Sequence, residues 1–427
     1  MNHCKIALAA LSLAILVGCK PDQAPQAPPT PSQAIQAFAT PVQVRPLEEY
    51  LQQGRLGEGT QGLAYQVSQQ PDDEQLRLSL GVVQFLRALE GLAQGLYRYG
   101  LLSSRAEGIP FLRLPVPENR QAAAVTYADV RKLFEDLVVD LTAAEATFAR
   151  VQDPQVKLKV ELGSIRFDLD GDGKADAPLL DIAAQYLGGK SRLPKDPLLV
   201  TAFDASDATW FRGYCHLLMA QSQVVLTYDG QEIFDGTSHI FFARPDTPYA
   251  FLQKVDGKDF WHLGNGVDGV DAIALIHLLR LPVKEKHRGA LALGHLEQVI
   301  ALSRETWKQI QAETDNDREW LPGPRQDGVL GVKVTPEIVT GWHEFLDESE
   351  LILQGKKLLP FWRSGEKRGV NLRRVFLEPA PFDLVLWFQG TAALPYLEEG
   401  PQTSRETWSR LSGVFRGQFL GFALWFN

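Results

Sequence analysis

The stretch "SDATWFRGYCHLLMAQSQVVLTY", residues 206–228, decides the fold class. Between Ala208 and Tyr228 it carries one formal charge, Arg212, and its apolar residues fall on every side of a helical wheel. It is far too long for a strand, which averages about 5–6 residues. A helix that is apolar all round belongs in the middle of a core rather than on its surface. Ser206 or Asp207 is the expected N-cap. The chain should therefore be built as helices packed around a central one.

Outward from that helix the 3.6-residue period recurs. In "TYADVRKLFEDLVVDLTAAEATFARV" the residues Val130, Leu133, Phe134, Leu137, Leu141, Ala144 and Phe148 share one face, over about residues 127–150. Thr126 and Asp129 have the spacing of a capping box at its start. "DGVDAIALIHLLRL" reads as a helix stopped by Pro282, and "HRGALALGHLEQVIALSRETWKQIQAE" as a longer one. "TPEIVTGWHEFLDESELILQGKK" has Thr335 as cap, Pro336 in the first turn and Gly355 past the end. "SRETWSRL" is a capped helix. "NLRRVFLEPAPFDLVLWFQG" mixes a strand-like run with a short apolar segment, and "FLGFALWFN" reads as a buried strand. The expected fold is mainly α, one compact multi-helix domain over residues 46–427 with a small amount of β near the C-terminus.

The N-terminal 45 residues obey other rules. "MNHCKIALAALSLAILVGCK" places Lys5 before an apolar run from Ile6 to Val17. That run is shorter than the about 20 residues needed to span a bilayer and fits a secretory signal. Leu16-Val17-Gly18-Cys19 resembles the lipobox of bacterial lipoproteins. The resemblance implies a signal peptide over residues 1–18, cleavage before Cys19 and lipidation of its thiol. It further implies a lipid anchor in the cell envelope, and Lys20 then reads as an outer-membrane address. Residues 19–45 are rich in Pro, Gln and Ala, too poor in large apolar groups to fold. They read as a tether that reaches on the order of 80 Å when extended.

Residues 47–100 resemble the tetratricopeptide repeat. Gly54 and Pro71 have that motif's 17-residue spacing, Gly59 takes its small position, Leu63 a large apolar one, and Leu80-Gly81 open the next repeat. The resemblance implies a helical hairpin that presents a groove to a protein or peptide partner. A helical hairpin of unrelated kind is the alternative.

One loop carries metal chemistry. "FDLDGDGKAD", residues 167–176, crowds four aspartates together. Two carboxylates about 5 Å apart repel by roughly 3 kcal/mol at an effective dielectric near 20, and a cation turns that cost into binding energy. The loop resembles the start of an EF-hand, which offers hard oxygens from alternate positions and needs a glycine at its sixth. On this chain the resemblance assigns Asp168, Asp170, Asp172, the Lys174 carbonyl and Asp176 to the ion, with Gly173 as the glycine. Leu179 stands where the family has a bidentate Glu, and Pro178 interrupts the exit helix. Asp181 is then the substitute carboxylate. The expected cofactor is Ca²⁺ at residues 168–181; the alternative is an Asx-rich turn that holds no ion.

Other patterns point away from catalysis. The chain has 427 residues, a net charge of −9 and no Lys/Arg-dense block, so nucleic acid is not an expected partner. Once Cys4 leaves with the signal and Cys19 is acylated, Cys215 stands alone as a buried inert thiol. "GNGVDG", residues 264–269, reads as a glycine turn with Asp268 or Asp271 capping a helix. "TDNDREW", with Asp315, Asp317 and Glu319, reads as a polar loop. His216 reads as a core histidine, and His277, His287 and His295 close no zinc site by spacing. "EWLPGPRQ" and "LLPFWR" read as packing at the domain's own edges. His343 and Asp347 share a helical face, as a surface ion pair or as the start of a His/carboxylate site. The function these features suggest is a calcium-binding lipoprotein with a binding or scaffold role at the envelope. The alternative is a hydrolase of envelope polymers that uses such a His/carboxylate site.

Overall fold

The computed structural model describes residues 44–106, 115–187, 196–253, 268–363, 365–415 and 419–426. The signal peptide, Cys19 and nearly all of the tether lie outside the described residues.

Along the chain come α1 (Leu47–Gln52), α2 (Leu56–Gln69), α3 (Glu74–Arg98), α4 (Ser103–Ala106) and α5 (Tyr127–Phe148). Next are β1 (Leu158–Glu161), β2 (Arg166–Phe167), β3 (Ala177–Pro178), α6 (Leu179–Leu187) and β4 (Val200–Phe203). The middle of the chain forms α7 (Ala205–Thr227), α8 (Gln231–Phe241), α9 (Gly269–Leu278), β5 (Arg280–Leu281) and α10 (His287–Ala312). The last part holds α11 (Pro336–Leu353), β6 (Leu359–Pro360), β7 (Gly369–Val370), α12 (Leu372–Leu377), β8 (Phe382–Asp383), α13 (Leu384–Gln389), β9 (Leu397–Glu398), α14 (Arg405–Val414) and α15 (Phe419–Phe426).

The fold is mainly α. Helix α7 lies at its centre, packed along α10 on one side and α5 on the other, with α3 beyond α5. Its Cys215 is fully buried, and burial pushes the thiol pKa up. The shared core gathers rings around Phe211. Phe148 stacks on it at 4.9 Å, and Phe85, Phe203 and Trp210 meet it edge-on. Helix α3 reaches this cluster because Gly81 carries no side chain: a Cβ there would stand 2.6 Å from the Phe148 ring.

The caps follow local chemistry. Thr126 and Asp129 form the expected capping box on α5. Thr335 caps α11 with Pro336 at its start, Ser404 caps α14, and Asp268 caps α9. On α7 the cap is Asp204 instead of Ser206 or Asp207. Its carboxylate accepts the N–H groups of Ser206 and Asp207, while Asp207 returns to the N–H of Asp204. Asp207 is thus the third residue of the box, and the helix starts two to three residues earlier than its polar residues suggested.

The β structure is small and scattered. The longest pairing, β1 with β4, runs antiparallel from Leu158↔Phe203 to Glu161↔Val200, in the middle of the chain and not near its C-terminus. The pairs β5–β8 and β6–β7–β9 supply the expected C-terminal β. Two segments differ from the sequence reading. Residues 419–426 are helix α15, whose fully buried Phe426 packs on Trp307 and Trp342. A short, wholly apolar run has no period with which to tell a buried strand from a buried helix. The run around residues 372–389 forms α12 and α13 joined by the two-residue β8.

Candidate metal centre

The acidic loop hangs between β2 and β3, which pair Arg166↔Pro178 and Phe167↔Ala177. It is entered from a strand, whereas an EF-hand is entered from a helix; a helix, α6, does leave it. Pro178 closes the two-residue ladder, and α6 starts at the next residue. Gly173 adopts the left-handed backbone, φ 84°, that its place in the loop demands.

Asp168, Asp170 and Asp176 each bring a carboxylate oxygen within 4.8 Å of the others. Their carboxylates also organise the loop. Asp168 accepts the N–H groups of Gly171 (2.7 Å) and Gly173 (3.0 Å). Asp176 accepts those of Leu169 (2.7 Å) and Asp170 (3.2 Å). Backbone donors and neighbouring acids thus converge on one spot. Burial holds the Asp176 pKa above the ordinary carboxylate range, and the charges of Asp170 and Asp168 add to it. Asp172 and Asp181 are not in this group of three. Asp172 bonds the Lys174 ammonium, which lowers its pKa, and Asp181 sits in the first turn of α6. The three clustered acids fit a hard divalent cation, which takes oxygen donors in a flexible shell.

The sequence reading missed what lies beneath the loop. Glu90 of α3 is 2% exposed, and its Oε1 accepts the backbone N–H of Asp168 at 2.9 Å. Burial pushes its pKa up to about 7. Gln94 donates to the Asp168 carbonyl at 2.7 Å and accepts from Arg87 at 3.0 Å. A signal for Glu90 was present: it stands seven residues after Val83 and four after Leu86, on the apolar face of α3. Gly54 completes the dock. At φ 64° it ends the turn after α1, and a Cβ there would stand 3.2 Å from Ala175. The result is a cleft of about 240 Å³ lined by Gly54, Arg55, Glu58, Arg87, Glu90 and Gln94 on one side and by Asp168 and its glycines on the other. In the hairpin itself, Gly59 lets α2 close on Tyr50, and Pro71 follows α2.

A second acidic group forms where the sequence suggested a polar loop. Asp204, Glu313 and Glu319 bring oxygens within 4.8 Å of one another, beside the buried Asp207. Burial raises the pKa of Glu319 to about 7 and that of Asp207 well above its ordinary value. Lys157 reaches in to Asp204 and to Asp315, at 2.9 Å each. The charge of Lys157 offsets part of the repulsion. No local sequence signal marks this group, since β4, the end of α10 and the loop after it meet only through tertiary packing.

Two histidines pair in the core. His216 Nδ1 lies 2.8 Å from His295 Nδ1, and its Nε2 lies 3.7 Å from Glu145, so the core histidine is satisfied. Spacing gave no hint that His295 would join it. Burial lowers the His295 pKa to about 4. Asp347 turns to Arg304 at 2.7 Å, and burial lowers the His343 pKa. No helix among the described residues is long and apolar enough to cross a membrane. Comparison with protein-family models, with curated proteins and with solved structures returned no match.

Proposed function

We propose that this chain is a membrane-anchored, calcium-binding lipoprotein with a binding or scaffold role at the bacterial cell envelope. The observation that carries the reading is the convergence of Asp168, Asp170 and Asp176 oxygens within 4.8 Å, on a loop docked through Asp168 to Glu90 and Gln94. Calcium, held by these acids with the Lys174 carbonyl and Asp181 as further candidates, supplies charge neutralisation and a rigid loop. Asp168 presents its N–H and carbonyl to α3 while its carboxylate faces the loop, so order in the loop is passed to the hairpin. The cleft between the two is the place for a peptide or protein partner. The lipobox at Cys19 and the Pro/Gln-rich tether support the anchoring half of the reading.

Titration calorimetry with Ca²⁺ on the folded chain tests the ion, and capture from envelope extracts with and without a chelator tests the partner. Binding abolished by Asp168→Asn is the expected result. No heat at millimolar Ca²⁺ would leave the loop as a plain turn. Mass spectrometry of the mature N-terminus tests acylation at Cys19 independently.

A further inference from the structure

The described residues hold seventeen large hydrophobic side chains that are strongly exposed, and six of them sit on two short helices, α9 and α13. On α9 these are Val270, Ile273 and Ile276, three residues apart and hence one stripe; on α13 they are Val385, Leu386 and Phe388. Each is between 44% and 54% exposed. The two helices come from distant parts of the sequence. The pairing of β5 with β8 sets them side by side, fixed by the N–H of Leu384 donating to the Leu279 carbonyl at 2.9 Å. The one acid within α9, Asp271, is turned to His239 at 3.2 Å. Residues 384–397, "LVLWFQGTAALPYL", carry no charge in a chain that is 22% charged, and in 272–279, "AIALIHLL", only His277 can acquire one.

The rim of this face has the chemistry of a membrane interface. Trp362 is 45% exposed, lies with its ring 6.4 Å from Trp387 and donates its indole N–H to the Phe388 carbonyl at 3.0 Å. Arg363, beside it, donates to the Gln389 carbonyl at 2.7 Å. Tryptophan at the boundary, aliphatic side chains inside it and an arginine whose head can reach phosphate form the pattern of a surface that rests in the headgroup layer. A solvated monomer gains nothing from an apolar face of this kind.

We infer that the α9–α13 face lies on the lipid bilayer itself. The inference rests on the lipoprotein reading in one respect: a tether that runs from Cys19 to residue 45 keeps the domain within about 80 Å of the bilayer. The anchor supplies local concentration, and a face that binds vesicles unaided then holds the anchored domain in one orientation. The cleft beside the acidic loop then takes a fixed direction relative to the membrane.

The experiment uses the mature chain with Cys19→Ala, which cannot be acylated, and vesicles of phosphatidylethanolamine and phosphatidylglycerol. The expected result is that this chain floats with the vesicles. Ile273→Asp combined with Leu386→Asp should reduce the bound fraction by about tenfold, with the thermal melt unchanged. Brominated acyl chains should quench tryptophan fluorescence in the chain without the two Asp substitutions, a readout that needs no variant to fold. Failure to float overturns the inference. So does equal flotation of the doubly substituted chain, and so does a dimer in light scattering that the two Asp substitutions dissolve, since the face would then be a contact between copies. The anchor is scored separately by mass spectrometry of the protein from cells. Missing acylation with intact flotation would discard the lipoprotein reading and keep the bilayer face.

Discussion

Glu90 Oε1 accepts the backbone N–H of Asp168 at 2.9 Å, and the two residues lie 78 positions apart in the chain. This bond joins the two parts on which the functional reading depends, the helical hairpin and the acidic loop. Glu90 also receives Arg87 at 3.3 Å, so its charge is partly balanced within α3. A buried acceptor of this kind cannot be removed without leaving a donor bare. Glu90→Ala should destabilise the protein by about 1–3 kcal/mol, the cost of an unsatisfied buried N–H. Glu90→Gln keeps a carbonyl oxygen in place and should cost less. Chemical denaturation of both variants checks the order; equal losses would mean that the bond to Asp168 contributes little.

Calcium should act on stability through linkage. An ion that binds the folded chain at one hundred times its Kd adds about 2.7 kcal/mol to unfolding. The melting temperature of the native sequence should therefore rise with Ca²⁺ and fall on chelation. Asp170→Ala removes one of the three clustered oxygens and should erase most of that response while leaving the melt in chelator nearly unchanged, because Asp170 is only half-buried and accepts only a local loop N–H. Scanning calorimetry with and without chelator measures both. A calcium response that survives Asp170→Ala together with Asp168→Asn would place the ion elsewhere.

The sequence exposed the parts of this molecule that depend on local rules. The capping box of Thr126 and Asp129, the Thr335-Pro336 start of α11 and the buried character of α7 all follow from residues within one or two turns of each other. The same is true of the three clustered aspartates. What stayed hidden depends on distant partners. The β1–β4 pairing joins Leu158 to Phe203, and each strand is too short to announce itself. Phe426 is buried because Trp307 and Trp342 arrive from two other helices, and an apolar run of that length fits a strand as well as it fits a helix. Glu90 lay between these cases: its position on an apolar face was visible, its partner was not.

Two glycines should separate packing from ion binding. At Gly81 an added Cβ would stand 2.6 Å from the Phe148 ring, deep in the core and far along α3 from the loop. Gly81→Ala should cost about 1–3 kcal/mol through overpacking and leave calcium affinity unchanged. At Gly54 the left-handed φ of 64° and the 3.2 Å approach to Ala175 put the strain directly against the loop. Gly54→Ala should cost about 1–2 kcal/mol and weaken calcium binding as well. Calorimetric titration of the two variants checks the contrast, and a reversed order would detach the loop from the hairpin.

The acidic group at Glu319 sets the direction of a pH dependence. Its pKa rises from an ordinary 4.5 to about 7 when the chain folds, because burial disfavours the charge. Below about pH 4.5 the group is protonated in both states and contributes nothing. Between about 4.5 and 7 the unfolded chain ionises first, so unfolding releases a proton and stability falls as pH rises. Above about pH 7 the full penalty remains. Glu90 shifts the same way and steepens the same window. Glu319→Gln keeps an acceptor for the Asp317 N–H and removes the titration. The variant should match the native sequence near pH 4, exceed it by about 1–3 kcal/mol near pH 8, and show a shallower slope between. Urea midpoints across that range, taken in chelator, measure the effect. A native profile that instead climbs from about pH 4.5 to 7, or a Glu319→Gln variant weaker at about pH 8, would mean that the Lys157 ammonium, bonded to Asp204 and Asp315, stabilises the ionised group more than burial penalises it.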